Sequence, residues 1–165
     1  AWLSEDGSIY WVRKVQQAKG TKGLNVQNAV DLLYEIHSDK PDIAVWGIED
    51  VHAIPKFGSM SSFVLGHACG ALYALLYVAL STTPSVRIKP KVWQKAVGIT
   101  KADKAVSLQR ARELFPLAVL SRKSDHDKAE ALLMAEYLRR LYCTQPALPR
   151  RPLRKPKYLA GSTLT

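Results

Sequence analysis

Along Ser8–Val15, SIYWVRKV, Ile9, Trp11 and Arg13 alternate with Tyr10, Val12 and Lys14. A period of two predicts a strand. Ala1–Leu3 reads as the end of a second strand, joined to the first through a turn at Glu5-Asp6-Gly7. The period then lengthens. Val26, Val30 and Leu33, continued by His37, recur at helical spacing behind Asn25, a residue suited to cap a helix. Asp42–Ile48 is a short apolar run closed by Glu49 and Asp50, which predicts a central strand with acids at its carboxyl end. His52–Ser62 carries Pro55, Gly58 and several serines and predicts a loop.

Helical pattern resumes near Phe63 and continues to about Leu80, with Gly66, Ala68, Gly70, Ala71 and Ala74 spaced for close packing against another backbone. Its most apolar part, Ala71–Leu80, is too short to span a bilayer and is expected to be a buried helix. A short strand at Val86–Ile88 stops before Pro90, and KVWQKAV predicts a short helix ended by Gly98. Thr100–Asp103 has the form of a capping box ahead of a helix that runs to Phe115, where Pro116 breaks it. Ser124 with Asp127 has the same form, ahead of a helix to about Tyr142. Alternating strands and helices predict an α/β fold with helices on a mixed sheet. Residues 1–143 form the expected domain, and residues 144–165 form a basic, proline-rich arm.

Charge narrows the partners. The chain has 165 residues, with 24 Lys and Arg against 14 Asp and Glu, a formal charge of +10. Such an excess favours a polyanion, nucleic acid above all, and no membrane association is expected. Arg150, Arg151, Arg154, Lys155 and Lys157 of the arm stand without an acid among them, suited to salt-sensitive contact with phosphates. Cys69 and Cys143 are the only cysteines and lack a CxxC partner, so neither a disulfide framework nor a thiolate zinc site is indicated. An interior, reducing compartment fits.

The candidate chemistry lies in SRKSDHDKAEALLMAEYLRR, Ser121–Arg140. Asp127 and Glu130 stand three apart at the head of a stripe continued by Ala131, Met134 and Leu138, so they share a helix face. If that face turns to the core, its acidic end meets the sheet edge where Glu49 emerges, with Asp125 one turn away. Convergent carboxylates raise one another's pKa unless a cation neutralises them, and Mg²⁺ or Mn²⁺ suits an all-oxygen site. The competing reading is helix capping: acids in a first turn also satisfy backbone N–H groups and the helix dipole. Glu136 lies off the acidic face and is expected at the solvated surface. Lys89, Lys91 and Lys95 around Trp93 are candidate phosphate contacts, and Trp93 itself reads as packing. Lys101, Lys104, Arg110 and Arg112 read as a basic stripe or as solvated helix surface. His126, next to the acids, is a candidate for proton transfer.

Four stretches in order, VWGIEDVHAIPKFGSMSSFVLG, IKPKVWQKAVG, KADKAVSLQRARELFP and RKSDHDKAEALLMAEY, resemble the RuvC-like Holliday junction resolvases, especially their phage-type and organelle-type members. With the opening strands they cover nearly all of Ala1–Leu141. The resemblance implies an RNase H-like fold, a homodimer on four-way DNA, and symmetric strand cleavage with Mg²⁺ or Mn²⁺. Of the family's four acids, Glu49 matches the one after the central strand, Glu130 the last on the C-terminal helix, and Asp127 the one three residues earlier. Asp125 matches an Asp common in the phage-type motif, so it competes with Asp127 as ligand. Phe57, Met60 and Phe63 fall in the region that contacts the junction or the second subunit, and Arg122 and Lys123 beside the acids are candidate phosphate contacts. The family's first-strand Asp-x-Gly signature has no counterpart here, Asp6 lying in the following turn, so the first element is expected to be incomplete in this chain.

Two functions follow. One is a structure-selective endonuclease for branched DNA in a phage-infected cytoplasm or an organelle such as the mitochondrion. The other is a catalytically inactive RuvC-like protein, without a metal, that binds RNA as a mitochondrial ribosome-associated structural or assembly component. The unmatched first acid and the extended basic arm motivate the second.

Overall fold

A computed structural model describes residues 1–20, 23–38, 43–52, 58–99 and 103–143. Phe57 and the arm, with Arg150, Arg151, Arg154 and Lys155, lie outside the described residues, as do Lys101 and the first part of the Thr100–Asp103 box. The described chain is α/β. Strands β1 (Trp2–Leu3) and β2 (Ile9–Trp11) precede helix α1 (Val26–Ser38) and strand β3 (Trp46–Glu49). Helix α2 (Ser59–Ala79), strand β4 (Ser85–Ile88) and helices α3 (Pro90–Ala96), α4 (Lys104–Leu114) and α5 (His126–Cys143) follow.

The expected hairpin forms. Trp2 pairs with Trp11 and Leu3 with Ile9 in antiparallel register. Gly7 takes φ +90° in the turn and donates its N–H to Ser4 O at 3.0 Å. Asn25 caps α1 by accepting from Asn28 N at 3.0 Å. β3 and β4 run parallel, Trp46 beside Ser85 and Glu49 beside Ile88. The expected single mixed sheet is instead two two-stranded sheets among the described residues. Helix α5 packs against both β1 and β3 and so bridges them. Trp46 N–H and Asp50 N–H bond toward β4, leaving the other edge of β3 facing a cleft of about 760 Å³. That cleft is lined from the hairpin by Trp2 and Leu3 and from α5 by Met134 and Leu138. Separate sheets follow from this gap, because no described strand reaches both free edges.

The core lies under α5, where Ala129, Leu132 and Leu133 pack with Trp93, Leu108 and Phe115. Glu136 continues the same stripe and is buried at 5% exposure, not solvated as expected. It accepts from Arg139 Nε at 2.7 Å and Arg140 Nε at 2.7 Å. Arg139 also donates to Glu5 O at 2.9 Å, tying the hairpin turn to α5. Arg110 and Arg112 do not form a free basic stripe: they donate to the carbonyls of Val97 and Leu120, closing the turns beyond α3 and α4.

Helix α2 departs furthest from expectation. It begins at Ser59, inside the expected loop, and spans 21 residues, so by length and composition it is apolar enough to cross a membrane. None of its residues is fully buried, which corrects the buried-helix reading of Ala71–Leu80. Met60, Phe63, Tyr77 and Val78 stand exposed. Its inner side meets α1, and Tyr73 packs its ring against Trp46.

Candidate carboxylate site

β3 delivers Glu49 because its parallel ladder with β4 holds the strand straight to its last residue, where Glu49 lies opposite Ile88. Gly47 permits close approach of α5: a Cβ there would lie 2.6 Å from Leu138 Cδ1 and 2.9 Å from Ile88 Cδ1. Glu49 Oε1 accepts from the Trp93 indole N–H at 2.8 Å. Trp93 is therefore both the packing residue expected and the group that fixes a site carboxylate, a role its sequence position did not signal. The second acid, Asp50, is occupied separately by Arg87 at 3.5 Å and His52 at 3.6 Å.

A 3-10 turn, Lys123–Asp125, opens α5. Asp125 Oδ2 accepts from Arg122 N–H at 2.9 Å, and Lys128 Nζ approaches Oδ1 at 3.2 Å. The Arg122 amide bond holds the Asp125 carboxyl below its ordinary pKa, with Lys128 adding to the effect. Asp125 thus makes the cap expected from Ser124 with Asp127. Its buried carboxylate is committed to the helix start, whereas Asp127 and Glu130 project farther along α5. The side chains of Arg122 and Lys123 are exposed beside this turn.

Asp127 Oδ2 meets Lys14 Nζ at 2.5 Å, and its Oδ1 lies 3.0 Å from His126 Nε2. His126 Nδ1 lies 3.0 Å from Lys123 O, an atom that only accepts, so Nδ1 carries the hydrogen. Lys104 Nζ stands 2.9 Å from His126 Nε2. Glu130 is half-buried, and its carboxyl pKa is raised, first by burial and then by the negative charges of Glu49 and Asp127. His126 and Lys104 pull the other way. The Cys69 thiol of α2 is also pushed up, by burial and then by Glu49.

Glu49 and Asp127 thus both act on Glu130 through their negative charge. Three carboxylates drawn together would suit a hard divalent cation. In the arrangement present, no group of three or more His, Cys, Asp and Glu side chains among the described residues is drawn together as a ligand set. Asp127 is turned to Lys14 and Glu49 to Trp93. Lys89 and Lys91 are exposed at the start of α3, and Met60 and Phe63 at the start of α2, where Phe63 stacks on His67 at 6.3 Å. Compared with protein-family models and with curated proteins, the chain matches none.

Proposed function

We propose that the protein is a structure-selective endonuclease that cleaves four-way (Holliday) DNA junctions as a homodimer, with a RuvC-like, RNase H-like fold, in an organelle or a phage-infected cell. The observation that supports this reading is that Glu130, half-buried on α5, has its carboxyl pKa raised first by burial and then by the negative charges of Glu49 and Asp127. Glu49, Asp127 and Glu130 are the residues that would hold Mg²⁺ or Mn²⁺, which would supply Lewis-acid assistance to phosphodiester hydrolysis. Trp93 holds the Glu49 carboxylate in one orientation, and burial on α5 restricts Glu130. Lys89, Lys91, Arg122 and Lys123 offer exposed cations for the DNA backbone, and the basic arm adds sequence-independent affinity. Met60 and Phe63 provide apolar contacts for the junction or a second subunit.

The test is incubation with a synthetic four-way junction and a linear duplex of the same sequence, with Mg²⁺ or Mn²⁺. Paired nicks in the junction alone, lost in Glu49→Gln and Glu130→Gln, are expected. An uncut junction in both metals, or equal cutting by Glu49→Gln, would sink the nuclease reading. A second reading, a catalytically inactive RNA-binding or ribosome-associated RuvC-like protein, is favoured by one observation: Asp127 is already neutralised by Lys14. It predicts salt-sensitive RNA binding that Glu49→Gln leaves unchanged.

A further inference from the structure

Strand alternation sorts the ends of β3 and β4 onto two faces. Trp46, Ile48 and Asp50 share one face with Arg87, the partner of Ile48, and Glu49 shares the other with Ile88. The first face turns to α2, where the Arg87 guanidinium lies 5.3 Å over the Tyr73 ring and that ring packs on Trp46 at 5.8 Å. Tyr77, 44% exposed, continues the aromatic row at 6.2 Å from Tyr73. Arg87 Nε stands 3.5 Å from Asp50 Oδ1, and among the described residues its terminal nitrogens have no partner. The Arg87 side chain is nonetheless 61% exposed. The backbone stays extended at Lys89, with φ −66° and ψ 135°. This exposed lysine therefore follows Arg87 on the same face, about 6.6 Å farther along.

An exposed ion pair at this distance adds little to stability. Stacking on Tyr73 and the Asp50 carboxylate instead orient the guanidinium plane before any ligand arrives. A planar, pre-oriented fork with free N–H groups matches the oxygens of a phosphate. In a chain of formal charge +10, the phosphates best suited to it are those of a nucleic acid.

We propose that Arg87, with Lys89 beside it, binds the phosphodiester backbone of nucleic acid on the α2 side of β4, the face opposite Glu49. This rests on reading the protein as a nucleic-acid binder, and it needs no cation at the carboxylates. Arg87 supplies the oriented fork and Lys89 a point charge. The contact carries no base information, so it fixes where the strand runs and not which sequence is held.

Binding of the full-length protein to a fluorescent four-way DNA junction, a DNA duplex and an RNA hairpin, across a KCl series without divalent ions, tests this apart from any turnover. Arg87→Gln is expected to bind about three- to tenfold more weakly at low salt. It should also flatten the logarithmic salt slope on the DNA probes by about 0.9, alike for every base sequence. Arg87→Lys keeps the charge, so its slope is expected to match wild type while its affinity falls with loss of the fork. Adding Lys89→Gln to Arg87→Gln should flatten the slope by about 1.8 in all. A purely structural Arg87 predicts otherwise: Arg87→Gln and Asp50→Asn would lower the melting temperature alike and leave the slope at its wild-type value. That outcome, with wild type binding, overturns the Arg87 contact and leaves nucleic-acid binding standing. Failure of wild type to bind any of the three probes overturns both. Weakening confined to the RNA or to the DNA supports the contact and assigns it to that nucleic acid. Should Arg87→Gln fail to fold, wild type alone decides. Bound nucleic acid should slow modification of Arg87 by hydroxyphenylglyoxal, read by peptide mass, and an unprotected Arg87 overturns the proposal.

Discussion

Glu130 and Glu136, six positions apart on α5, are both substantially enclosed, yet their protons behave oppositely. Burial, and then the charges of Glu49 and Asp127, raise the pKa of Glu130; for Glu136, burial alone would raise it, but Arg139 and Arg140 outweigh burial and hold it low. For Glu130 the native state keeps its proton to higher pH than the unfolded chain. Stability therefore falls as pH rises from the unfolded Glu pKa through the raised native value, then stays at the lower level. In cation-free buffer, Glu130→Gln is expected to melt roughly 1–3 °C above wild type at pH 7. The two should melt together below about pH 4, where the carboxyl is protonated in both states. For Glu136 the sign reverses: its contribution is present above the unfolded pKa and is lost as pH falls through the depressed native value. Glu136→Gln is expected to cost about 2 kcal/mol at neutral pH, below the range for fully buried pairs because its arginines are partly exposed. Chemical denaturation at pH 7 measures it.

Between elements, the contact that places the site is α5 on β3. A methyl at Gly47 would run into Leu138 and Ile88, so Gly47→Ala is expected to destabilise by about 1–3 kcal/mol and to move Glu130 away from Glu49. Combining it with Leu138→Ala should recover part of that loss, a coupling that a double-mutant cycle detects. Helices were the legible part of the sequence, because Asn25 and the spacing along α1, α4 and α5 act locally, although Asp103 is itself the N-cap of α4, not the closing residue of the expected box. The expected convergence of Glu49 with Asp127 and Glu130 is not drawn together as a ligand set among the described residues: Asp127 pairs with Lys14 and Glu49 with Trp93. Glu136 was misplaced because the stripe was followed through Ala131 and Met134, while Ala129, Leu132 and Leu133 define an equally regular one that includes it. Lys14 was invisible as a site residue: its partner is distant in sequence, and its strand pattern says nothing of where the ammonium lands. The cap at Asp125 was missed because Ser124 with Asp127 offers the same spacing two residues on.

For the molecule as a whole, charge and apolar surface make separate demands. The formal charge of +10 predicts nucleic-acid affinity that falls steeply with salt. Deleting residues 144–165, with their five basic side chains at 150, 151, 154, 155 and 157, should flatten the logarithmic salt slope by up to about 4. The α2 face, with Met60 at 72% and Phe63 at 69% exposure, makes the opposite demand, for apolar cover. If the protein pairs with itself as proposed, Phe63→Glu should convert a dimer to a monomer in sedimentation while leaving circular dichroism unchanged. The chain as a whole also has a way to report on its acids. Trp93 places its indole N–H on Glu49 from within the core, at 1% exposure. In an ¹⁵N-edited spectrum the proton on that nitrogen is a resonance of its own, far from the crowded amides. Any ion, proton or phosphate that pulls on Glu49 would retune it, giving the carboxylate cluster a native spectroscopic antenna that needs no added label.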